Sequence, residues 1–499
     1  MKFRVLSPRM NANKFATAVG IMLLLFLGLF LYRYNLEQSY ILKGDTARDM
    51  LTVLRLYKDK RITLIGPPVS LGQSGTRELY FGSLHYYFGM AGLWIGNFKV
   101  PYATLVNTVL MLAAILAFFL LSACCVKKLW QRLLVTCLFV VGPVTVLHTR
   151  LFWNPSPIIP LSVFFWLCVY YSYIKKSLSL WSFLAGATAG IIFNLHYFAA
   201  LPLFIIPLLR SKQWKSVLLW FIAGWLLTSL PLIVFEVRHE WYLTQGIVYH
   251  VLSGTHSGSM PLLQRLLRID LALLIPFGIY EGEFYYGPLI GVPRIVGALF
   301  SMGIVVAVLR FRKSPFFIHA LYTVLLALVL TTLASGELEY FMRYMFAVYP
   351  LLLLLVGAAL MQYRAMTAVY IAACLFALTT SMHIITTQSD SPYGYVSIST
   401  LERISAVVQQ EHNRQSYNIT ENIIGDARAI ALRYFLERDA HHKPMNETQY
   451  ENLDALFVLT RNVQKAEEEQ RWEFTATHGL KKTKQIALGN NTWIVVYRR

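Results

Sequence analysis

Two carboxylates and an arginine share one short stretch, Gly44-Asp45-Thr46-Ala47-Arg48-Asp49. On a helix the i, i+4 spacing puts Asp45 and Asp49 on one face, one above the other. A carboxylate so placed can take a proton from a hydroxyl as a new bond forms. It can also serve as a helix N-cap or a first-turn acid favoured by the dipole. Asp45 is the candidate for the base, and Asp49 and Arg48 stand beside it.

The elements that must position these groups lie in a membrane. The chain is 56% hydrophobic and only 14% charged, with mean hydropathy +0.50. Apolar runs such as Phe15–Tyr32 and Tyr102–Leu121 are long enough to cross a hydrocarbon core about 30 Å thick. The length rule predicts about eleven spans, near 15–33, 101–122, 131–147, 157–174, 180–195, 197–209, 216–235, 290–309, 315–333, 344–361 and 366–386. The first follows a basic segment, but its length and the Tyr32-Arg33-Tyr34-Asn35 exit predict a retained anchor rather than a cleaved signal. The five cysteines fall in or beside apolar spans, which predicts buried thiols rather than a disulfide framework or a zinc site.

Charge sets the expected orientation. Segments on the N-terminal side carry only basic residues, from Lys2 and Arg4 through Lys127, Lys175 and Arg210 to Lys313 and Arg364. The positive-inside rule puts them in the cytoplasm. Every acidic residue before 387 lies on the opposite face, and the tail beyond 386 is balanced, so the net +19 belongs to the membrane part. That excess fits topology and anionic lipid, not nucleic acid.

Residues 1–386 are thus expected to form a membrane domain with a first outer loop at 35–100 and a second at 236–288. Asp45–Tyr57 and Leu262–Leu274 read as amphipathic helices lying on the bilayer surface. Gly66-Pro67-Pro68-Val69 is an extended or turning stretch. Residues 387–499 read as a small outer α/β domain, with helices over Ser397–Glu411 and Asp426–Asp439 and strands over Ala455–Thr460 and Thr492–Tyr497.

The outer loops supply further candidates. Arg343 enters a strongly apolar span, and a charge at that depth is a functional candidate. Arg343, Arg238 and Arg77 could meet a phosphate, since guanidinium forks match its oxygens. Arg48, Asp49, Glu78, His85 and Tyr86 in the first loop, with Asn154, His196 and Tyr197 at short loops, are candidates for the substrate pocket. Glu236, His239 and Tyr344 join them. His85, His148, His196, His239, His250 and His256 fall on the outer side, as do Glu78 and Glu236. They leave a divalent metal open, though no ligand spacing such as HxxxH links them and no cofactor is required.

Asp45-Thr46-Ala47-Arg48-Asp49 after a first span, followed by Trp153-Asn154-Pro155-Ser156, Leu195-His196-Tyr197, Phe235-Glu236-Val237-Arg238-His239 and Arg343-Tyr344 with Pro350, resembles the GT-C superfamily. The resemblance is to bacterial relatives of protein O-mannosyltransferases and of the lipid A aminoarabinose transferase. It covers nearly the whole chain. It implies a glycosyltransferase of a bacterial inner membrane that moves a sugar from a polyprenyl-phosphate donor, with inversion, to a glycan, lipid or protein outside the cytoplasm. On that resemblance Asp45 corresponds to the catalytic aspartate and Arg343 to an arginine near the lipid phosphate. Thr46 stands where relatives often have Glu, and Gly66-Pro67-Pro68 replaces a Lys-Pro-Pro-type stretch of the aminoarabinose enzymes, a departure that bears on the donor. A flippase of lipid-linked glycans would instead call for intramembrane acids or paired inverted repeats. A non-catalytic assembly factor would use the outer domain alone.

Overall fold

The first apolar run forms the helix Ala12–Arg33, and the chain leaves it through a left-handed Asn35 into the short helix Leu36–Ser39. This computed structural model describes residues 12–40, 42–69, 78–174, 177–209, 213–252, 309–311, 314–334, 342–361, 363–386, 396–412, 416–423, 426–439, 443–476, 479–489 and 491–499. Among them, five helices are long and apolar enough to cross a membrane: Lys14–Arg33, Val100–Ser122, Leu178–Leu195, Trp214–Arg238 and Met366–Thr386. The expected span at 131–147 is broken. Leu129–Val141 and Pro143–Arg150 meet at 48°, because Pro143 has no N–H to continue the ladder. Shorter apolar helices, Ile158–Ile174, Tyr197–Pro207, Pro315–Thr331 and Tyr349–Leu360, occupy four further expected positions. The span expected at 290–309 lies almost entirely outside the described residues, as does the interfacial helix expected over Leu262–Leu274. The chain is a polytopic α-helical membrane protein.

Small residues set the closest helix pairing. Ser182, Gly186 and Gly190 lie along one face of Leu178–Leu195, which packs on Trp214–Arg238. A Cβ at Gly186 would run into the carbonyl of Phe221, and one at Gly224 into that of Phe183. Backbones this close exclude side chains, the packing that replaces hydrophobic drive between helices in lipid. Gly186→Val is expected to cost about 1–3 kcal/mol by overpacking. The check is a lowered thermal midpoint in detergent.

The helix that carries the opening motif runs from Gly44 to Lys58. Gly44 has φ +50°, a left-handed entry that favours glycine. Lys43 is the N-cap and offers no side-chain cap, so Asp45 is a first-turn acid and not the cap. The apolar stripe is present: Ala47, Met50, Leu51, Val53 and Leu54 are buried. Its expected role on the bilayer surface is not what the structure gives. Ala47, Met50, Val53 and Leu54 share one core with Tyr86 and Leu93 of Leu84–Ile95 and with Leu401, Tyr434 and Phe435 of the C-terminal domain. Protein, rather than lipid, covers the stripe.

That C-terminal domain holds a four-stranded sheet, β3 (Tyr417–Glu421), β4 (Ala455–Thr460), β5 (Lys481–Gly489) and β6 (Thr492–Arg498), in the order β3-β4-β6-β5. β3 and β4 are parallel, and the other pairs antiparallel. The expected helix over Ser397–Glu411 is Ile398–Glu411, N-capped by Ser397, whose hydroxyl accepts the Thr400 N–H at 3.2 Å. The one expected from Asp426 begins later, at Ile430. Asp426 instead accepts the N–H groups of Arg428 and Ile430 ahead of it.

The domain grips the last turn of Gly44–Lys58. Arg55 donates to Glu437 and to Glu447, and Lys58 donates to the carbonyl of Glu437. The Arg55 hydrogen bonds hold the Glu447 carboxyl down at about 2, against the opposing desolvation. An unfolded glutamate titrates near ~4.3. The folded value is the lower, so this contribution is present above the unfolded value and is lost as pH falls through about 2. Glu447→Gln should therefore flatten the decline of the thermal midpoint between about pH 5 and pH 2, measured beside the parent chain.

Candidate functional site

Two further strands reach the start of that helix. β1 (Ile65–Val69) and β2 (Leu79–Gly82) pair antiparallel with an irregularity between Ile65 and Pro68. The prolines at 67 and 68 are tolerated because the ribbon is two-stranded and has no central ladder to feed. Gly66 must be small, since a Cβ there would meet the carbonyl of Gly82.

The second half of the bent pair, Pro143–Arg150, ends in Arg150, which is buried. Its guanidinium donates to the carbonyls of Leu31 and Tyr34, both at 2.9 Å, and to the Ser39 hydroxyl. It thereby fastens the exit of the first span beneath the segment that leads to Asp45. The next loop carries Trp153, Asn154 and Pro155, and Asn154 donates to the Leu195 carbonyl at 2.8 Å, which ties that loop to the turn bearing His196.

These elements line an open cleft whose empty space of about 490 Å³ includes solvent at its mouth. It is lined by Asp45, Pro68, Val69, Phe81, Trp153, Asn154, Pro155, His196, Phe198, Arg343 and Tyr344. Five sequence candidates meet here: Asp45, Asn154, His196, Arg343 and Tyr344. Six lining residues were not among the candidates. Trp153 and Pro155 flank Asn154, and Phe81 lies in an aromatic stretch beside His85. For Phe198 the sequence offers no cue that separates it from Tyr197.

Asp45 is 47% exposed in its side chain, and its Oδ1 accepts from Arg48 Nη1 at 2.7 Å. The same guanidinium donates to Asp49 Oδ1, from Nε at 2.9 Å and Nη2 at 2.8 Å. Desolvation pushes the Arg48 guanidinium down, but Asp49 and Asp45 outweigh it and the net shift is upward. Asp49 is fully buried, and its Oδ2 lies 3.2 Å from His85 Nε2, whose ring stacks on Phe152 at 4.2 Å. Asp49, Arg48 and His85 therefore stand behind Asp45 rather than lining the cleft.

Among the described residues the cation lining the cleft is Arg343, whose guanidinium carbon lies 5.7 Å from the Trp153 ring centroid and 5.6 Å from that of Tyr344. His196, in the turn after Leu178–Leu195, is buried between Phe81 at 4.9 Å and Tyr344 at 5.2 Å. Burial first, and the Arg343 charge second, hold its imidazole well below its ordinary value. It is neutral at physiological pH, and its Nδ1 has no hydrogen-bond partner among the described residues. Four aromatic rings, from Phe81, Trp153, Phe198 and Tyr344, line the same cleft as the acid and the cation.

The other candidates lie elsewhere. The Glu236 carboxylate accepts the N–H groups of Leu243 at 2.8 Å and Thr244 at 2.9 Å, so it caps the helix Tyr242–Leu252. Arg238 is exposed. His239 stacks on Phe235 at 4.1 Å with its Nδ1 against that residue's carbonyl. Tyr86 is packed in the core with Met50. The Tyr197 hydroxyl donates to the Tyr80 carbonyl, and Glu78 accepts from the Tyr80 hydroxyl. Arg77 and His256 lie outside the described residues. Among the described residues no group of three or more His, Cys, Asp or Glu side chains is placed to hold a metal ion, and all five cysteines are free.

No protein-family model matches the chain, and no curated protein does. Solved structures do. The crystal structure of ArnT from Cupriavidus metallidurans in the apo state superposes with a TM-score of 0.64 at 11% identity, covering 96% of this chain and 98% of that one. The structure of the same protein bound to undecaprenyl phosphate gives 0.60 at 10% identity, covering 97% and 98%. Likeness at this identity establishes architecture: the polytopic helical membrane fold expected from the sequence is the fold this chain shares with these ArnT structures.

Proposed function

We propose that the chain is a membrane glycosyltransferase that takes a sugar from a polyprenyl-phosphate donor and passes it, with inversion, to an acceptor outside the cytoplasm. The observation that carries this is that Asp45 and Arg343 line one cleft together with four aromatic rings. The similarity in fold to an ArnT solved with undecaprenyl phosphate supports the choice of donor. One-sided basic loops support a bacterial inner-membrane location, with the N-terminus in the cytoplasm and the cleft and C-terminal domain outside.

In this mechanism the lipid phosphate lies against Arg343 and the sugar stacks on the aromatic wall. Asn154 and the neutral His196 offer hydrogen bonds to sugar hydroxyls. The acceptor hydroxyl enters from the solvent side beside Asp45. As its oxygen bonds to the anomeric carbon, its proton passes to the Asp45 carboxylate. The bond from that carbon to the phosphate oxygen breaks with its electron pair, and the charge that develops on the phosphate is met by the Arg343 fork. Arg48 holds Asp45 by one oxygen, which leaves the other for the proton. Only one carboxylate is needed, and Asp49 is spent on Arg48 and His85.

The test is transfer in nanodiscs, using lipid-linked sugars extracted from bacterial envelopes. Release of free polyprenyl phosphate with a product of inverted anomeric configuration is expected. Retention of configuration, or no release from any donor pool, would overturn the proposal.

A further inference from the structure

The helix Gly44–Lys58 is continuous, with Asp45 at one end in the cleft and Arg55 and Lys58 at the other in the grip of the C-terminal domain. Ten residues of helix separate Asp45 from Arg55, about 15 Å along the axis. At the far end Arg55 makes two forked ion pairs. Nε and Nη2 reach Glu437, at 2.9 and 2.5 Å, and Nη1 and Nη2 reach Glu447, at 2.8 and 2.9 Å. Glu437 is buried and lies on the helix Ile430–Asp439, and Glu447 follows that helix. Between the two ends, Met50, Val53 and Leu54 are packed into the core that includes Tyr434 and Phe435 of the same domain. The Tyr434 hydroxyl also donates to the Phe98 carbonyl at 2.7 Å, fixing the turn that follows the neighbouring helix Leu84–Ile95.

We propose that Arg55 is a positioning residue for Asp45, and that the C-terminal domain, through the Glu437–Arg55–Glu447 clamp, sets the tilt and axial rotation of the helix that delivers this carboxylate. The proposal rests on Asp45 being the base. A point charge would hold the helix end loosely, whereas a planar guanidinium shared by two carboxylates resists rotation about the helix axis. A rigid helix carries that constraint to its other end. A carboxylate displaced by about 1 Å from its proton loses on the order of a hundredfold in rate. The domain is then a working part of the transfer machinery even though none of its described residues lines the cleft.

The experiment uses the full chain in nanodiscs, in three forms: unmodified, Glu437→Gln/Glu447→Gln, and Arg55→Lys. Hydrogen exchange at the amides of residues 49–53 is read alongside kcat and the donor KM. The double variant should exchange faster at these amides and lose about ten- to a hundredfold in kcat, with donor KM within about twofold. Arg55→Lys, which keeps the charge without the fork, should fall between. Unchanged exchange in the double variant would overturn the proposal, as would faster exchange with kcat intact. If the double variant does not fold, Arg55→Lys decides by the same criteria. Absence of transfer by the unmodified chain would instead defeat the proposed activity, while the exchange data still decide whether the domain restrains the helix.

Discussion

Asp45→Asn should lower the transfer rate by on the order of 10²–10⁴, the usual share of a general base. It should leave membrane insertion, thermal stability and donor binding near those of the parent. The reason is local. Asp45 is half exposed at the first turn, it caps no backbone, and its one ion pair with Arg48 is duplicated by Arg48 with Asp49. An amide keeps the shape and can still meet Arg48 through its carbonyl oxygen, but it takes no proton. Asp45→Glu should recover part of the rate, since the longer side chain retains the base while misplacing it. Initial rates of polyprenyl phosphate release, with circular dichroism as the control on folding, check both.

Arg343→Gln is the second large effect. Its loss should lower kcat by about 10²–10³, the scale for removing one preorganised group from a developing anion, and should weaken binding of polyprenyl phosphate. Arg343 lies between Trp153 and Tyr344, so its planar face is used as well as its charge. Arg343→Lys therefore should not behave as a conservative change: it should restore part of the binding and less of the rate. Titration of the purified variants with polyprenyl phosphate separates the two effects. Parent-like binding and turnover in both variants would place the phosphate elsewhere in the cleft.

Much of the architecture was legible because lipid imposes a length rule on apolar segments that a sequence cannot hide. Each predicted apolar stretch that falls among the described residues is occupied by an apolar helix or a bent pair, and the 48° break sits at the Gly142-Pro143 step. Asp45 stood out because an acid opens an amphipathic helix just beyond a span, and Arg343 because a charge enters an apolar run. What the sequence could not say is which surface an apolar stripe meets. Met50, Val53 and Leu54 would look the same against lipid as against Tyr434 and Phe435.

Acids and rings are ambiguous for a related reason. Glu236 resembled a pocket acid, yet its oxygens satisfy the N–H groups that open the helix Tyr242–Leu252. Asp49 and His85 were read as pocket residues and are buried behind Arg48. Tyr197 and Phe198 are adjacent rings, and only the turn at His196 decides that Phe198 faces the cleft. The strands β3 and β5 escaped notice because both are edges. β5 is rich in exposed lysines, which protect an open edge at the expense of a recognisable hydrophobic alternation.

Native mass spectrometry of the chain carrying Asp45→Asn, purified from its own membrane, tests the central claim most directly. A base-deficient transferase should hold its unspent donor, so the spectrum should contain an adduct of a polyprenyl phosphate plus one glycosyl residue. The unmodified chain, supplied with acceptor, should carry the bare polyprenyl phosphate. A variant that carries no polyprenyl species, or one that turns over the donor as fast as the parent, would contradict the assignment of Asp45 and of the lipid-linked sugar it is proposed to act on.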